Sequence, residues 1–232
     1  VGGILITMSR TSSREARLVQ ALTTHRFGVG NANFRVGGQE GWTDTVPYGC
    51  YRREVFDRIG FYDERLVRNQ DYELNRRLKR DGGRIWCNPE IQVRYYNQGS
   101  IRGLLAQAYV TGSWNPWMWY VAPYTFEGRH IVPGIFAMGL ISLSALAPWL
   151  GAARVLIALI LIPYLAIAIL ASLQQSRRLG LWAWPLLPCL FLIYHLAYGT
   201  GTLYGTLRAI LGTAPVQRMA EPWPGAGQYR LR

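Results

Sequence analysis

The second half of the chain contains three long segments without a single acidic or basic residue, and no other feature constrains the fold as strongly. They are 23, 22 and 29 residues long, at positions 131–153, 155–176 and 179–207. A helix needs about 20 apolar residues to cross the hydrocarbon core of a bilayer. One such segment could be a buried core helix, but three in succession predict a helical transmembrane region over residues 131–207. The predicted spans lie near 131–151, 154–174 and 181–204.

Arg177 and Arg178, between the second and third spans, set the predicted orientation. Positively charged loops are retained on the cytoplasmic side of a membrane. The residues before position 130 are therefore predicted to be cytoplasmic, in a multi-pass protein of the inner (plasma) membrane. Three spans would place the basic tail, residues 208–232, on the opposite side, against the same rule. Either the third span is partly re-entrant or the tail is translocated despite its charge.

His195 lies within the third uncharged segment. A polar residue at membrane depth is a candidate for a functional role. The alternative is a hydrogen bond between helices, at a place where Gly199, Gly201 and Gly205 allow close helix packing. Small residues around a single polar group favour the packing interpretation.

A segment rich in Trp and Tyr, residues 116–130, precedes the first span. Aromatic side chains gather at the headgroup level of membranes. Pro116 and Pro123 favour a short, broken segment that lies on the membrane surface. Stacking on sugar rings is the alternative interpretation, but the composition favours an interfacial aromatic segment.

The first 115 residues alternate between strand-like and helix-like patterns, which indicates an α/β layer architecture. The predicted strands cover residues 4–7, 46–51, 84–87 and 92–96. The predicted helices cover residues 12–24, 53–59, 69–80 and 100–110. Because a strand-like run begins at Val1 with no helix before it, we expect a partial layer with an open sheet edge.

Asp71 stands near the start of the predicted helix 69–80. The positive end of the helix dipole favours an ionised carboxylate at this position. Leu74 and Leu78, at i+3 and i+7, place Asp71 at the edge of the apolar stripe of the helix. A carboxylate in such a place is often only a helix cap, and the residues alone favour that interpretation.

Several short motifs in the first half occur in an order typical of one enzyme family. The chain reads DE at 63–64, QDYEL at 70–74, RL at 77–78 and GGRI at 82–85. In this order and spacing they resemble the acceptor-side half of family-2 glycosyltransferases with a GT-A fold. The resemblance is strongest to the membrane-associated enzymes of succinoglycan-type exopolysaccharide biosynthesis, and it covers residues 1–114. It implies a partial GT-A domain over residues 1–115, followed by the membrane region.

The resemblance also implies roles for individual residues. Asp71 matches the catalytic aspartate of the family, a base that takes the proton of the acceptor hydroxyl as it attacks the anomeric carbon. Gln70 replaces the family's usual glutamate, and Gln98 stands where related sequences often have arginine. Substrate-binding residues are expected on the donor side, at the acceptor pocket, and in the Gln…Trp element that follows the pocket. Asp44, Gly49 and Cys50 are the donor-side residues. Asp63, Glu64 and Gln70 belong to the acceptor pocket, and Gln107 and Trp114 form the Gln…Trp element.

The family resemblance implies a nucleotide-sugar donor, with UDP-glucose as the default, and a polyprenyl-linked saccharide acceptor in contact with membrane lipid. It also implies a divalent cation, Mg²⁺ or Mn²⁺, held by an Asp-x-Asp motif against the donor diphosphate. No Asp-x-Asp is present in these 232 residues. No metal ligands are therefore expected within them. We expect this chain to be the acceptor half and membrane anchor of a longer enzyme, inactive without its nucleotide-binding half.

Two other classes of protein fit parts of the composition. A net charge of +12 suits a non-catalytic membrane protein whose basic cytoplasmic domain binds anionic lipid or nucleic acid. The basic residues of the first half are interspersed with acidic ones, however, and no nucleic-acid-binding motif is visible. A transporter would need more polar residues within its spans than His195. The motifs therefore favour the glycosyltransferase, with no nucleic acid as partner.

Overall fold

A small sheet holds the first half of the chain together. The computed structural model describes residues 1–30 and 32–213, so most of the predicted basic tail lies outside the described residues. The three strands are β1 (Gly2–Met8), β2 (Gly41–Thr43) and β3 (Ile85–Tyr96). β3 is central, with β1 parallel on one side and β2 antiparallel on the other. The mixed α/β architecture predicted from the sequence is confirmed.

Helices surround this sheet and make up nearly all of the second half. In chain order they are α1 (Arg14–Thr23), α2 (Arg26–Val29), α3 (Arg53–Ile59), α4 (Gln70–Arg80), α5 (Ile101–Val121), α6 (Gly128–Leu146), α7 (Gly151–Leu179) and α8 (Leu187–Ile210). Ser13 caps α1, because its hydroxyl accepts the N–H of Ala16 at 3.1 Å. The helices predicted at 12–24, 53–59 and 69–80 are confirmed within two residues at each end.

Two strand predictions were wrong in detail. The segments 84–87 and 92–96 belong to one strand, β3, whose pairing with β1 is irregular between them. Residues 46–51 form no strand, because Tyr48 adopts a positive φ of 50°. β2 lies earlier instead, at Gly41–Thr43, where Trp42 pairs with Trp86. Val46 is buried in a cluster with Leu74 and Leu78 of α4.

The helix predicted at 100–110 continues to Val121 as α5, so the chain around Pro116 is not the broken segment that was expected. The reason is close packing on α8. A Cβ atom on Gly201 would lie 2.1 Å from the carbonyl oxygen of Tyr109, so only glycine allows this approach. Trp117 is buried in the same contact and donates its indole N–H to the carbonyl oxygen of Gly205 at 3.1 Å.

Two of the three predicted spans correspond to helices that are long and apolar enough to cross a membrane, α6 and α7. Large apolar side chains such as Ile135 and Leu159 are exposed on them. The third predicted span, 181–204, falls on α8, which does not reach the same apolarity and packs against α5 and α6. Tyr, Thr and His side chains along α8 explain the difference. α6 and α7 are therefore two candidate spans, and the third span stays a prediction for a more polar helix.

The interpretation of His195 as a packing residue is confirmed. Its Nδ1 atom lies 2.8 Å from the hydroxyl of Tyr164 on α7, so it links two helices. The ring of Phe27 of α2 packs against both of these side chains. Its ring centroid lies 5.3 Å from each of these two rings and 5.1 Å from that of Phe191.

The sheet half and the helical half share a hydrophobic core. Leu18, Val19 and Leu22 of α1 pack in one buried cluster with residues of α7 and α8. The side chain of Gln175, near the end of α7, donates to the carbonyl oxygen of Ala21 at 3.0 Å. The C-terminal end of α7 therefore lies against α1. Arg177 and Arg178, which set the predicted orientation in the membrane, lie at this end.

Candidate active site

The candidate site is built around the first turn of α4. Asn69, directly before the helix, adopts the left-handed conformation with φ of 63° and ψ of 14°. It is the N-cap residue, and its side chain makes no capping hydrogen bond. Asp71 lies two residues later, in the first turn of the helix, where its residue type favoured capping. Its carboxylate is exposed and accepts the N–H of Tyr72 at 2.9 Å.

Asn69 is held in this conformation by the long helices. Its side-chain amide donates to the Oδ1 atom of Asn115 on α5 at 2.9 Å. Asn115 is 3% exposed, and its own amide donates to the hydroxyl of Tyr198 on α8. A buried asparagine needs such partners, because unpaired buried amide groups are costly. The chain of three side chains ties the position of Asp71 to α5 and α8.

Two cavities meet at Asp71. One, here the helix-side cavity, has a volume of about 870 Å³ and is lined by α2, α4, α5, α6, α7 and α8. The other, here the sheet-side cavity, has a volume of about 610 Å³ and is lined by β1, the 47–48 loop and residues 62–71. Phe34, Arg35, Asp71 and Tyr95 line both cavities. A carboxylate at this junction can contact a molecule in either cavity.

The structure brings some of the sequence-predicted site residues to these cavities. Asp63, Glu64 and Gln70 line the sheet-side cavity, and Gln107 lines the helix-side cavity. The remaining candidates belong to neither lining. They are Asp44, Gly49, Cys50 and Trp114.

Contacts within the chain explain where those four residues lie. Asp44 forms an ion pair with Lys79 in the last turn of α4, and the hydrogen bond from Lys79 lowers the pKa of that carboxyl group. Gly49 adjoins Cys50, whose backbone N–H donates to the carbonyl oxygen of Val1 at 2.7 Å. Trp114 packs edge-to-face on the ring of a tryptophan one turn further along α5, with centroids 4.9 Å apart.

Asp63 is 2% exposed and bound on both carboxylate oxygens by Arg65. The Arg65 Nη2 to Asp63 Oδ2 distance is 2.6 Å, and the backbone N–H of Arg65 also donates to Asp63 at 3.0 Å. Such a bidentate pair stabilises the loop before α4. Glu64, in contrast, is exposed.

Asn75 is a buried polar residue near the site that the sequence analysis did not single out. It is fully buried, accepts the hydroxyl of Tyr51 at 2.6 Å and donates to the hydroxyl of Thr45 at 2.8 Å. These bonds fix the 45–51 loop against α4. A polar residue next to Leu74 on the buried stripe of an amphipathic helix was the available signal.

Glu73, two residues after Asp71, has a structural role. It is 1% exposed and binds Arg77 through both carboxylate oxygens, at 2.9 and 2.6 Å. Tyr124, in the turn before α6, donates its hydroxyl to the same carboxylate. Burial and the Glu73 charge raise the pKa of Tyr124. The network joins α4 to the connection between α5 and α6.

We expect Glu73→Ala to lower the free energy of unfolding by about 3–5 kcal/mol, because it leaves the guanidinium of Arg77 buried without its partner. Thermal unfolding of the purified protein in detergent measures the change. Glu54→Ala, which removes an exposed carboxylate from the first turn of α3, is the matched control and should cost under about 0.5 kcal/mol. Equal losses for the two variants would contradict the structural role.

Two buried polar atoms beside Asp71 make no hydrogen bond of normal geometry within the described part of the chain, although the side chains of Arg129 and Glu127 interact with the first of them. They are the Tyr72 hydroxyl and the Nδ1 atom of His130, on rings whose centroids are 5.1 Å apart. Both residues line the helix-side cavity. Burial raises the pKa of Tyr72 to about 12, so its hydroxyl stays protonated at neutral pH.

Two known proteins are similar to part of the chain. Part of the chain is 31% identical over 87 residues to the succinoglycan biosynthesis protein ExoA of Rhizobium meliloti. A second match, 27% identical over 114 residues, is a glucuronosyltransferase of Methanococcus voltae. Its full name is dolichyl N-acetyl-alpha-D-glucosaminyl phosphate 3-beta-D-2,3-diacetamido-2,3-dideoxy-beta-D-glucuronosyltransferase. The chain resembles a sugar transferase.

The matches are partial. They cover 38% and 49% of this chain, and the chain spans 26% and 35% of the length of the two relatives. No family model matches the sequence, and no solved structure matches it significantly. The similarity therefore supports a glycosyltransferase role at a general level, and the finer assignments belong to the proposal below.

The divalent cation that the family resemblance implies would need a group of oxygen, nitrogen or sulfur ligands. In residues 1–30 and 32–213, no three His, Cys, Asp or Glu side chains come together to hold a metal ion. The residues present do not fit such a cation. Its ligands would have to come from outside the described residues.

Proposed function

We propose that this chain is the acceptor-side part of a membrane-associated, inverting family-2 glycosyltransferase with a GT-A fold. It would transfer a sugar from a nucleotide-sugar donor to a lipid-linked saccharide acceptor in exopolysaccharide or cell-surface polysaccharide synthesis. The observation that carries the proposal is the exposed Asp71 carboxylate at the junction of two cavities. The partial similarity to a glucuronosyltransferase and to a succinoglycan biosynthesis protein supports it.

Asp71 is the proposed base. Its carboxylate takes the proton from the acceptor hydroxyl as that oxygen forms a bond to the anomeric carbon of the donor sugar. The bond between the anomeric carbon and the phosphate oxygen breaks, and the nucleoside diphosphate leaves with the electron pair. The N–H of Tyr72 holds the carboxylate in place. The carboxylate lies in the first turn of α4, where the helix dipole favours negative charge.

The two cavities suit the two substrates. The sheet-side cavity is proposed to hold the donor sugar, for which UDP-glucose is the first candidate. Gln70 and Glu64, which the resemblance placed at the acceptor pocket, line this cavity and are therefore reassigned to the donor side. The helix-side cavity, with Gln107, is proposed to hold the acceptor. For the divalent cation expected in the full-length enzyme, residues 1–30 and 32–213 offer no group of three possible ligands, so no step of the proposed reaction is assigned to it.

The proposed location is the inner membrane, crossed by α6 and α7, with the sheet on the cytoplasmic side. The end of α7 supports this orientation. Arg177 and Arg178 lie in its last turn, next to Leu179, whose carbonyl oxygen accepts the side chain of Arg17 on α1 at 3.0 Å. Basic residues are retained in the cytoplasm, so α1, which contacts this end of α7, and the sheet domain to which α1 belongs are proposed to lie there too.

We expect a cysteine at position 178 to be labelled from the same side of the membrane as a cysteine at Arg58 on α3. Trp149, in the turn between α6 and α7, is the matched control. It is 78% exposed at the other end of the helix pair, so Trp149→Cys should be labelled only from the opposite side. The measurement is reaction with an impermeant maleimide in intact cells and in inverted vesicles. Labelling of positions 149 and 178 from one side would refute the proposed arrangement.

Transfer itself is tested with membranes that contain the full-length protein. They are incubated with radiolabelled nucleotide sugars, beginning with UDP-glucose, and the label in the lipid extract is counted. We expect label in the lipid fraction that depends on expression of the protein. No expression-dependent label from any nucleotide sugar would argue against the proposed function.

A further inference from the structure

α8 is attached to the sheet half of the protein at both of its ends. At its start, Leu187 is fully buried in one cluster with Leu18 and Leu22 of α1. Near its end, the carbonyl oxygen of Gly205 accepts the indole N–H of Trp117 on α5 at 3.1 Å. About 27 Å of helix separates these two contacts, which nearly equals the thickness of the hydrocarbon core of a bilayer. If α8 crossed a membrane, the two contacts would lie on opposite sides of it.

The contact with α5 lies on the same side as the contact with α1, because α5 is itself fixed to the sheet half. At the start of α5, the backbone N–H of Ile101 donates to the carboxylate of Glu15 on α1 at 2.6 Å. In the turn after α5, Tyr124 donates its hydroxyl to Glu73 on α4. α5 packs along α8 between these two points. Both ends of α8 are therefore held on the side of the sheet.

The two candidate membrane spans extend away from α8. At the start of α6, the approach to α8 is so close that a Cβ atom on Gly199 would lie 2.1 Å from the carbonyl oxygen of Pro133. Further along, residues 141–146 of α6 and 154–163 of α7 are all exposed or half-buried. α6 and α7 therefore project from the rest of the protein, and α8 lies at their base.

α7 is long enough to cross a membrane and also to contact the sheet half. Its last nine residues, 171–179, include Gln175 and Leu179, whose side chain and carbonyl oxygen bind α1. The preceding residues, 151–170, are 20 in number, which is the length that a span needs. Such a span places the membrane surface near Ala171, which packs in the same buried cluster as Leu187 and Leu190 of α8. α8 therefore begins at that surface.

One face of α8 is apolar and exposed. Ile193, Tyr204 and Leu207 lie on it, at intervals of 11 and 3 residues that bring them to the same side of a helix. Gly201 and Gly205, which contact α5, lie on another side. The sequence has no acidic or basic residue between Arg178 and Arg208. An apolar helix face at the base of two membrane helices fits the boundary between lipid headgroups and acyl chains.

We propose that α8 lies along the cytoplasmic surface of the membrane and does not cross it. Ile193, Tyr204 and Leu207 contact lipid at the boundary between headgroups and acyl chains. α8 then ends on the side of the sheet, so Arg208 and the basic tail stay in the cytoplasm, where positively charged segments are retained. The conflict between three spans and a basic tail disappears. The inference rests on the proposed crossing of the membrane by α6 and α7, but not on sugar transfer.

The side of the membrane on which α8 ends is tested by cysteine labelling. Thr213, three residues after the helix, is exposed. In a variant whose 3 cysteines are replaced by serine, Thr213→Cys should react with an impermeant maleimide in inverted vesicles and not in intact cells. Trp149→Cys is the control for the opposite side. Labelling of position 213 from the side that labels position 149 would overturn the inference.

The depth of two positions in lipid vesicles separates a surface helix from a crossing one. Nitroxide labels on Ile193→Cys and Leu207→Cys should lie at equal depth, about 5–10 Å into the boundary region. Leu159→Cys and Leu173→Cys on α7 are the matched control, because these residues are also exposed and also 14 residues apart. They should differ in depth by about 15 Å, half the hydrocarbon thickness, because α7 crosses the membrane. Power saturation with oxygen and a water-soluble nickel complex measures these depths.

Two results of the depth measurement would contradict the proposal. A crossing α8 puts position 193 near the bilayer centre and position 207 near the surface, again about 15 Å apart. Labels on α8 that the nickel complex reaches as easily as one on Arg58→Cys would show that the face is in water. Labels that neither reagent reaches would show that another protein surface, such as a second copy of the chain, covers it.

The outcomes separate this inference from the proposed function. Labelling of position 213 from outside, with positions 149 and 178 on opposite sides, overturns the surface position of α8 alone. Labelling of position 213 from the cytoplasm, with no expression-dependent sugar transfer to lipid, overturns the proposed function alone.

Discussion

Asp71→Asn in the full-length protein should reduce sugar transfer to membrane lipid by about 10²–10⁴-fold, because the amide cannot take the proton of the acceptor hydroxyl. Folding should change little. The side chains are nearly equal in size, Asp71 is exposed, and the amide oxygen can still accept the N–H of Tyr72. Transfer of labelled sugar to lipid and thermal unfolding, measured on the same preparation, check both parts.

Glu64→Gln is the matched control for this experiment. Glu64 is also exposed and lines the sheet-side cavity, but it lies in the loop before α4. We expect a change in transfer below about tenfold, because the proposed reaction requires one base. Wild-type transfer by Asp71→Asn, with transfer lost in Glu64→Gln, would move the base to Glu64.

Gly201→Ala should lower the free energy of unfolding by about 3 kcal/mol, the upper part of the range for overpacked contacts. The new methyl group would lie 2.1 Å from the carbonyl oxygen of Tyr109, so α5 and α8 must move apart. Separation of these helices also breaks the hydrogen bond between Asn115 and Tyr198, which positions the start of α4. Transfer should therefore fall with stability, as measured by thermal unfolding in detergent and the lipid assay.

Gly139→Ala on α6 gives the comparison. A Cβ atom there meets nothing within 4 Å, so the variant should be as stable as the wild type or more stable by up to about 1 kcal/mol. If both alanine variants behave alike, close packing of α5 on α8 is not what holds the site.

The sequence predicted local structure well where one pattern dominated. α3 ends at Ile59 as predicted, where Gly60 follows with a positive φ of 76°, and the apolar stripe of Leu74 and Leu78 identified α4. The failures came from contacts between distant parts of the chain. The 46–51 segment looked like a strand, but Asn75 holds it as a loop against α4.

The candidate site shows the same limit. Asp71 could be proposed from its position in a motif, but the residues that hold it in place could not be predicted from the sequence. Asn69 needs Asn115 and Tyr198 to keep its left-handed conformation, and these residues lie on two helices far along the chain. No local pattern predicts which glycines let those two helices approach. The cavities, whose walls come from six helices and the sheet, depend on the same packing.

The aromatic ring that α2 inserts between α7 and α8 limits how the protein can be divided. Phe27 fills the space among Tyr164, Phe191 and His195, and Gly28 beside it has no room for a side chain. In a chimera whose membrane helices come from a relative, the ring of Phe27 would pack against different side chains. α1 and α2 must therefore be exchanged together with α7 and α8. Across related transferases, we expect these two distant parts of the chain to change together.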